Sequence, residues 1–78
     1  MRYMPYIEVR AYPRDEEIKR RTAERIKQVI QEEYGCPGNV ISISFEDFSP
    51  DDWQSEVVDK MIAPKKDRMY ILNGEKVR

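Results

Sequence analysis

The chain has 78 residues, with 14 lysines and arginines against 15 aspartates and glutamates, and it has no histidine. That length suits a single domain, and the lack of histidine excludes the Ser-His-Asp and Cys-His nucleophile systems. With one cysteine, Cys36, it can form neither an intrachain disulfide nor a thiol cluster for zinc. A domain this small then gains stability most readily by self-association. We therefore expect a homodimer or a larger assembly.

Charge and hydropathy narrow the range of partners. The formal net charge is −1, whereas nucleic-acid-binding domains usually carry a strong positive excess. No apolar run approaches the ~20 residues that span a bilayer, and the first residues lack the apolar core of a secretion signal. A lone cysteine is typical of a reducing compartment. These features predict a cytoplasmic protein that contacts neither membrane nor nucleic acid.

The first predicted element is a strand over residues 6–12. Ile7, Val9 and Ala11 alternate with polar or aromatic residues, which is the period of a half-buried strand. Pro13 ends it, because proline cannot donate to a strand ladder.

A long helix follows from Asp15 to the residue before Gly35. Its apolar residues recur at spacings of three and four, which predicts one buried face. They are Ile18, Thr22, Ile26, Val29, Ile30 and Tyr34. Gly35 suits the position after a helix end, and Pro37 blocks continuation.

Residues 39–45 alternate again, with Ile41, Ile43 and Phe45 on one face. Strand, helix and strand in this order predict a βαβ unit with parallel strands and a right-handed crossover. Two strands alone are not stable in water. Their edges therefore need another copy of the chain or a covering segment, which again indicates self-association.

The last third of the chain contains a short helix and a turn. Ser49 and Pro50 are typical of a helix start, and Pro64 is expected to end that helix. Asn73-Gly74 favours a type I′ turn between residues 70–72 and 75–77. The predicted fold is α/β, with a long helix over a two-stranded parallel sheet, a short second helix and a hairpin-like tail, completed by oligomerisation.

Four segments in this order resemble the tautomerase superfamily, and within it the 4-oxalocrotonate tautomerase-like group. The segments are Met4-Pro5-Tyr6-Ile7-Glu8-Val9, Pro13-Arg14, Val40-Ile41-Ser42-Ile43 and Asp51-Asp52-Trp53. The resemblance runs from Pro5 to about Gly74 and is strongest to a short subgroup described as dimers. It implies two parallel strands and a long helix in each subunit, with subunits paired into a continuous sheet.

The resemblance also implies a chemistry. Family members use an amino-terminal proline as general base for keto–enol proton transfer, without a cofactor or metal, and here that residue is Pro5. The resemblance implies that Arg14 binds the substrate carboxylate and that Trp53 walls the pocket. Tyr6 follows Pro5 and lies on the strand face opposite Ile7, so we expect it to line the site. A free proline is a secondary amine, and an α-amino group has a pKa of about 7.7–8.0. An apolar pocket and a nearby cation lower that pKa, which suits a base near neutrality.

The mechanism needs a mature chain that begins at Pro5. Residues 1–4 would then be a leader absent from that chain, and residues 5–78 a single tautomerase-like domain. If residues 1–3 stay attached, the Pro5 nitrogen is an amide without a basic electron pair. The alternative function is then a catalytically inactive, oligomeric protein of the tautomerase fold.

Other interpretations of the site residues stay open at this point. Arg14 is equally a surface arginine paired with Glu16 or Glu17, and Trp53 a core or interface residue. A third function, a nucleic-acid-binding module, rests only on the cluster Lys19-Arg20-Arg21.

Where other members carry a second substrate-binding arginine, this chain has Ile41. A phenylpyruvate-like keto or enol acid, with one carboxylate and an apolar end, therefore fits better than a dicarboxylate.

Overall fold

A computed structural model describes residues 4–78, so the first three residues of the predicted leader lie outside the described part. The described chain forms two compact units that divide between Phe48 and Ser49. The first contains β1 (Tyr6–Ala11), α1 (Glu16–Tyr34) and β2 (Ser42–Asp47). The second contains α2 (Pro50–Trp53), a π-helix (Gln54–Ile62), a 3₁₀ helix (Ala63–Arg68), β3 (Ile71–Leu72) and β4 (Glu75–Lys76).

The first unit is the predicted βαβ unit. β1 and β2 pair in parallel, with Ile7 opposite Ile43 and Val9 opposite Phe45. Backbone hydrogen bonds extend the ladder at both ends, from the Ser42 N–H to the Pro5 carbonyl at 3.1 Å and from the Phe48 N–H to the Ala11 carbonyl at 2.9 Å. The apolar side chains of the two strands therefore share one face, and the α/β prediction is confirmed.

The predicted limits of β2 were wrong. The strand begins at Ser42 rather than Asn39 and continues to Asp47 instead of ending at Phe45. Residues Gly38–Val40 form a 3₁₀ turn, which the Ile41 N–H closes by donating to the Gly38 carbonyl at 3.3 Å. Val40 is buried in this turn, with 7% exposure, so its apolar side chain is accommodated outside the strand.

Helix α1 ends where its sequence predicts but is not deeply buried. Gly35 follows it with φ 67° and donates its N–H to the Gln31 carbonyl, a left-handed conformation that glycine adopts without steric cost. No residue of α1 is buried, and Ile18, Val29 and Tyr34 are 38%, 54% and 63% exposed. Part of the apolar stripe of α1 is therefore left exposed to solvent in a single chain.

The second unit begins as predicted. The Ser49 hydroxyl accepts a hydrogen bond from the Asp52 N–H at 3.3 Å, with Pro50 in the first helical turn. The expected end at Pro64 was wrong, because the helical backbone continues as 3₁₀ to Arg68. Pro64 is the second residue of that segment, and its fixed φ is compatible with the first turn of a helical segment.

The chain ends in the predicted hairpin. β3 and β4 pair antiparallel, and the turn residues Asn73 and Gly74 have φ of 51° and 81°. Positive φ at both central residues is the requirement of a type I′ turn. Of the helices in residues 4–78, none combines the length and the apolar character that crossing a membrane requires.

Candidate active site

Pro5 lies at the amino end of β1. Its carbonyl accepts the first hydrogen bond of the ladder, from the Ser42 N–H at 3.1 Å, and the residue is half-buried. A proline at the first position of a strand leaves the ladder intact. The pyrrolidine nitrogen is therefore placed at the amino edge of the sheet.

Tyr6 lies next to Pro5, with its side chain 62% exposed. Its hydroxyl is 2.7 Å from the Ser44 Oγ, and either oxygen can be the donor. Ser44 lies opposite Glu8, two residues beyond Tyr6 on β1. The hydrogen bond therefore directs the Tyr6 hydroxyl toward the carboxyl end of the strand, away from Pro5. The ring of Tyr6, rather than its hydroxyl, is the part nearer to Pro5.

Arg14 follows the carboxyl end of β1 and precedes α1, in an exposed position. In the part of the chain from Met4 onward, its guanidinium forms no ion pair or hydrogen bond. The ion pairs of residues 4–78 join Arg14 to neither Glu16 nor Glu17, and the ion pair of Glu16 is with Arg20 at 3.9 Å. The guanidinium is therefore available to an anion.

Arg14 lines a cavity of about 220 Å³, here called the carboxyl-end cavity. It lies between α1 and the carboxyl ends of the two strands. Its lining is Val9, Ala11, Tyr12, Arg14, Ile18, Lys19, Thr22, Phe45, Glu46 and Asp47. In open α/β sheets, ligands bind outside the carboxyl ends of the strands. An apolar wall with a guanidinium at its margin suits an organic acid that has one carboxylate and an apolar end.

An ion pair crosses one side of this cavity. The Lys19 Nζ lies 2.7 Å from the Asp47 Oδ2, with side-chain exposures of 18% and 42%. The hydrogen bond to Asp47 raises the pKa of Lys19 above its ordinary value, because a neighbouring carboxylate stabilises the ammonium.

The sequence interpretation missed both partners, although each had a signal. Lys19 lies three and seven residues before Thr22 and Ile26, on the apolar stripe of α1. Asp47 continues the alternation of Ile43 and Phe45, and so shares their face of the sheet.

A single chain does not bring the predicted catalytic residues together. The six residues of β1 rise ~3.3 Å each, so the strand separates Pro5 from Arg14 by ~20 Å. Trp53, the last residue of α2, belongs to the second unit, and its role as a pocket wall stays a prediction. Ile41, at the position of the second family arginine, is extended and half-buried. For metals, no group of three or more Cys, Asp or Glu residues suited to holding an ion occurs within residues 4–78.

Comparison with characterised proteins identifies relatives of similar length. No protein-family model matches the chain. It is 35% identical over 68 residues to Tautomerase PptA of Pectobacterium carotovorum, covering 85% of this chain and 90% of the relative. It is 34% identical, over the same share of each chain, to Tautomerase PptA of Pectobacterium atrosepticum. To Tautomerase PptA of Escherichia coli it is also 34% identical, over 85% of this chain and 89% of the relative. With these relatives and its βαβ unit, the chain belongs to the tautomerase superfamily, in the 4-oxalocrotonate tautomerase-like group.

Proposed function

We propose that this protein is a cofactor-independent tautomerase of enol and keto acids, with Pro5 as general base and Arg14 as the carboxylate-binding residue. Its family and the names of its relatives support an isomerase of the tautomerase type. The observation that carries the finer proposal is that Arg14 lines the apolar carboxyl-end cavity and forms no ion pair or hydrogen bond with residues 4–78. An enol acid with an apolar end matches both features.

The reaction follows from the atoms at the site. In the form that acts, Pro5 is the first residue and its nitrogen is a secondary amine. The amine takes the hydroxyl proton of the enol and returns a proton to the adjacent carbon. The C=C bond becomes a single bond and the C–O bond becomes a carbonyl. A base with a pKa near the working pH does both steps well.

Arg14 contributes binding and charge stabilisation. Its planar guanidinium can hold a carboxylate through two parallel hydrogen bonds. The same positive charge favours the enolate that develops as the enol loses its proton. Because Ile41 stands where other members carry a second arginine, the far end of the substrate meets an apolar residue. Phenylenolpyruvate, which has one carboxylate and a phenyl ring, is the substrate of choice for a test.

The site is assembled from two copies of the chain. β1 holds Pro5 and Arg14 at its opposite ends. A twofold axis that sets the strands of two copies antiparallel brings Pro5 of one copy to Arg14 of the partner subunit, and twofold dimers are the commonest assemblies. The exposed apolar side chains of α1, Ile18 and Val29 among them, favour such an assembly, because water contact with them is unfavourable.

The test compares two forms of the chain in phenylenolpyruvate ketonisation. One form begins at Met4, so that removal of the initiator methionine leaves Pro5 first; the other retains residues 1–3. We expect activity only in the form that begins with Pro5, with its start verified by mass spectrometry. Equal activity in both forms would exclude Pro5 as the base. Absence of activity in both forms would support the alternative, in which this chain is a catalytically inactive protein of the tautomerase fold.

A further inference from the structure

The ion pair Lys19–Asp47 differs from the other ion pairs of residues 4–78. Arg10 and Glu8 are neighbours on one strand, and the pairs Arg20–Glu16 and Lys60–Glu56 each lie one helical turn apart. Lys19 and Asp47 are 28 residues apart in sequence and join α1 to the end of β2 at 2.7 Å. Lys19 is also the most enclosed cation of these pairs, with 18% side-chain exposure.

This ion pair shares the carboxyl-end cavity with Arg14. Arg14, Lys19 and Asp47 all line this space of about 220 Å³. Glu46 is the fourth charged residue of the lining, and it alternates to the face of β2 opposite Asp47. A sphere of that volume is ~7.5 Å across, close to the ~8 Å over which physiological salt screens a charge. A carboxylate that enters to bind Arg14 is therefore within the electrostatic reach of Asp47. An unpaired Asp47 would repel that carboxylate and compete with it for the guanidinium.

We propose that Lys19 is a positioning residue for substrate binding, which holds Asp47 in an ion pair and so keeps Arg14 available to the substrate carboxylate. This proposal rests on the proposed function, in which Arg14 receives that carboxylate. The hydrogen bond to Asp47, which raises the pKa of Lys19, is the contact that this role requires. Lys19 acts through Asp47 and touches no reacting atom.

An ion pair with a purely structural role would respond differently to substitution of Lys19 and Asp47. If the ion pair only fastens α1 to the sheet, removing either partner weakens the site, and removing both does not restore it. If Lys19 acts by holding Asp47 in the ion pair, removing the Asp47 carboxylate as well should restore substrate binding to a chain that lacks Lys19. The informative variants are Lys19→Met, Asp47→Asn, their combination, and Lys19→Arg as the conservative change.

The experiment measures carboxylate binding and catalysis in parallel on the chain that begins with Pro5. The binding probe is phenylacetate, a monocarboxylate that cannot tautomerise, and its affinity is read from the NMR shift of the Arg14 Nε–H signal. We expect Lys19→Met to weaken phenylacetate binding, and to raise KM for phenylenolpyruvate, by about tenfold, with a much smaller change in kcat. Lys19→Arg and the Lys19→Met/Asp47→Asn combination should stay within about threefold of the unmodified chain.

The control is Arg20→Met, which removes the same charge from the next position of α1 and leaves Asp47 paired. Circular dichroism verifies that each variant is folded. If Lys19→Met alone does not fold, Asp47→Asn and the combination still decide: a purely structural ion pair predicts weakened phenylacetate binding in both, whereas the proposal predicts affinities within about threefold of the unmodified chain. Phenylacetate binding that is unaffected by Lys19→Met, or a combination as weak as Lys19→Met, would overturn the proposal.

The binding measurement separates this proposal from the proposed function. A chain that binds phenylacetate at Arg14 with the expected rescue pattern, yet catalyses no ketonisation, contradicts the tautomerase and supports the role of Lys19. An active chain in which Lys19→Met changes neither affinity nor KM contradicts the role of Lys19 alone. If phenylacetate leaves the Arg14 signal unmoved in the unmodified chain, the role of Lys19 is overturned as well.

Discussion

Pro5 and Arg14 lie at opposite ends of β1, and the six residues of that strand keep them ~20 Å apart. No side-chain rotation closes such a gap, since an extended arginine reaches only a fraction of it. A site that uses both residues therefore takes them from different copies of the chain. This relationship makes the proposed assembly testable by mixing two inactive forms.

The first prediction is that inactive chains complement each other. One chain retains residues 1–3, which block the Pro5 nitrogen; the other begins with Pro5 and carries Arg14→Ala. A mixed dimer contains one site with an intact Pro5 and an intact Arg14, so random mixing should restore about a quarter of the activity of the unmodified protein. Ketonisation of phenylenolpyruvate is measured after the two are unfolded and refolded together.

The control for this mixing replaces the first chain with one that both retains residues 1–3 and carries Arg14→Ala. No mixture with that chain forms a complete site, so no activity should return. If native mass spectrometry shows mixed dimers but their activity stays at the level of the separate chains, the two residues do not share a site between subunits.

The second prediction concerns Arg14 itself. Arg14→Ala should cost about 1.5–3 kcal/mol of transition-state binding, the range for a hydrogen bond to a charged group. That corresponds to a fall of roughly 10- to 150-fold in kcat/KM, measured on phenylenolpyruvate with the chain that begins with Pro5. Arg21→Ala, which removes an exposed arginine of α1, is the matched control and should leave kcat/KM nearly unchanged. Equal values for the two variants would remove Arg14 from the site.

The framework of this fold is predictable from short-range sequence signals. The alternation of residues 6–12 predicts β1, and Gly35 marks the end of α1, because each depends on neighbouring residues only. The hydroxyl of Ser49 and the pair Asn73-Gly74 likewise act within a few residues. For these elements, local conformational preference and the final fold agree.

The charged side of the site was not predictable in the same way. Asp47 and Glu46 are polar and follow Phe45, so the end of β2 resembles a loop until its pairing with β1 is known. Lys19 resembles one more cation in a basic cluster until its partner, 28 residues away, is placed beside it. The exposure of Val29 was not predictable either, because an exposed apolar residue of a helix has the same sequence spacing as one that faces its own sheet.

The third prediction concerns the pH dependence of stability. Asp47 raises the pKa of Lys19 above its ordinary value of 10.5, so the ion pair favours the protonated, folded state. Its contribution to the free energy of unfolding should be fully present below the pKa of the unfolded lysine, and lost as the pH rises through the higher folded value. The difference in unfolding free energy between the unmodified chain and Lys19→Met should therefore shrink between about pH 8 and about pH 11.5.

Urea denaturation at both pH values and one fixed protein concentration measures this difference. Arg20→Met is the reference, because Arg20 is paired on the same helix and an arginine stays protonated across this range. The difference between the unmodified chain and Arg20→Met should therefore change much less. A Lys19→Met difference that is constant or grows at high pH would show that the lysine ammonium contributes no stability through Asp47.

The fourth prediction concerns the end of α1. Gly35 has φ 67°, and a Cβ built on it meets no atom within 4 Å, so a substitution there tests backbone conformation without a steric clash. Gly35→Ala should lower the free energy of unfolding by about 1–2 kcal/mol, the cost of a left-handed conformation for an ordinary residue. Gly35→Asn should cost clearly less, because asparagine adopts this conformation more readily. Urea denaturation at fixed protein concentration gives both values, since dissociation of an assembly would otherwise contribute. Equal losses for alanine and asparagine would mean that something other than the left-handed backbone determines the need for glycine here.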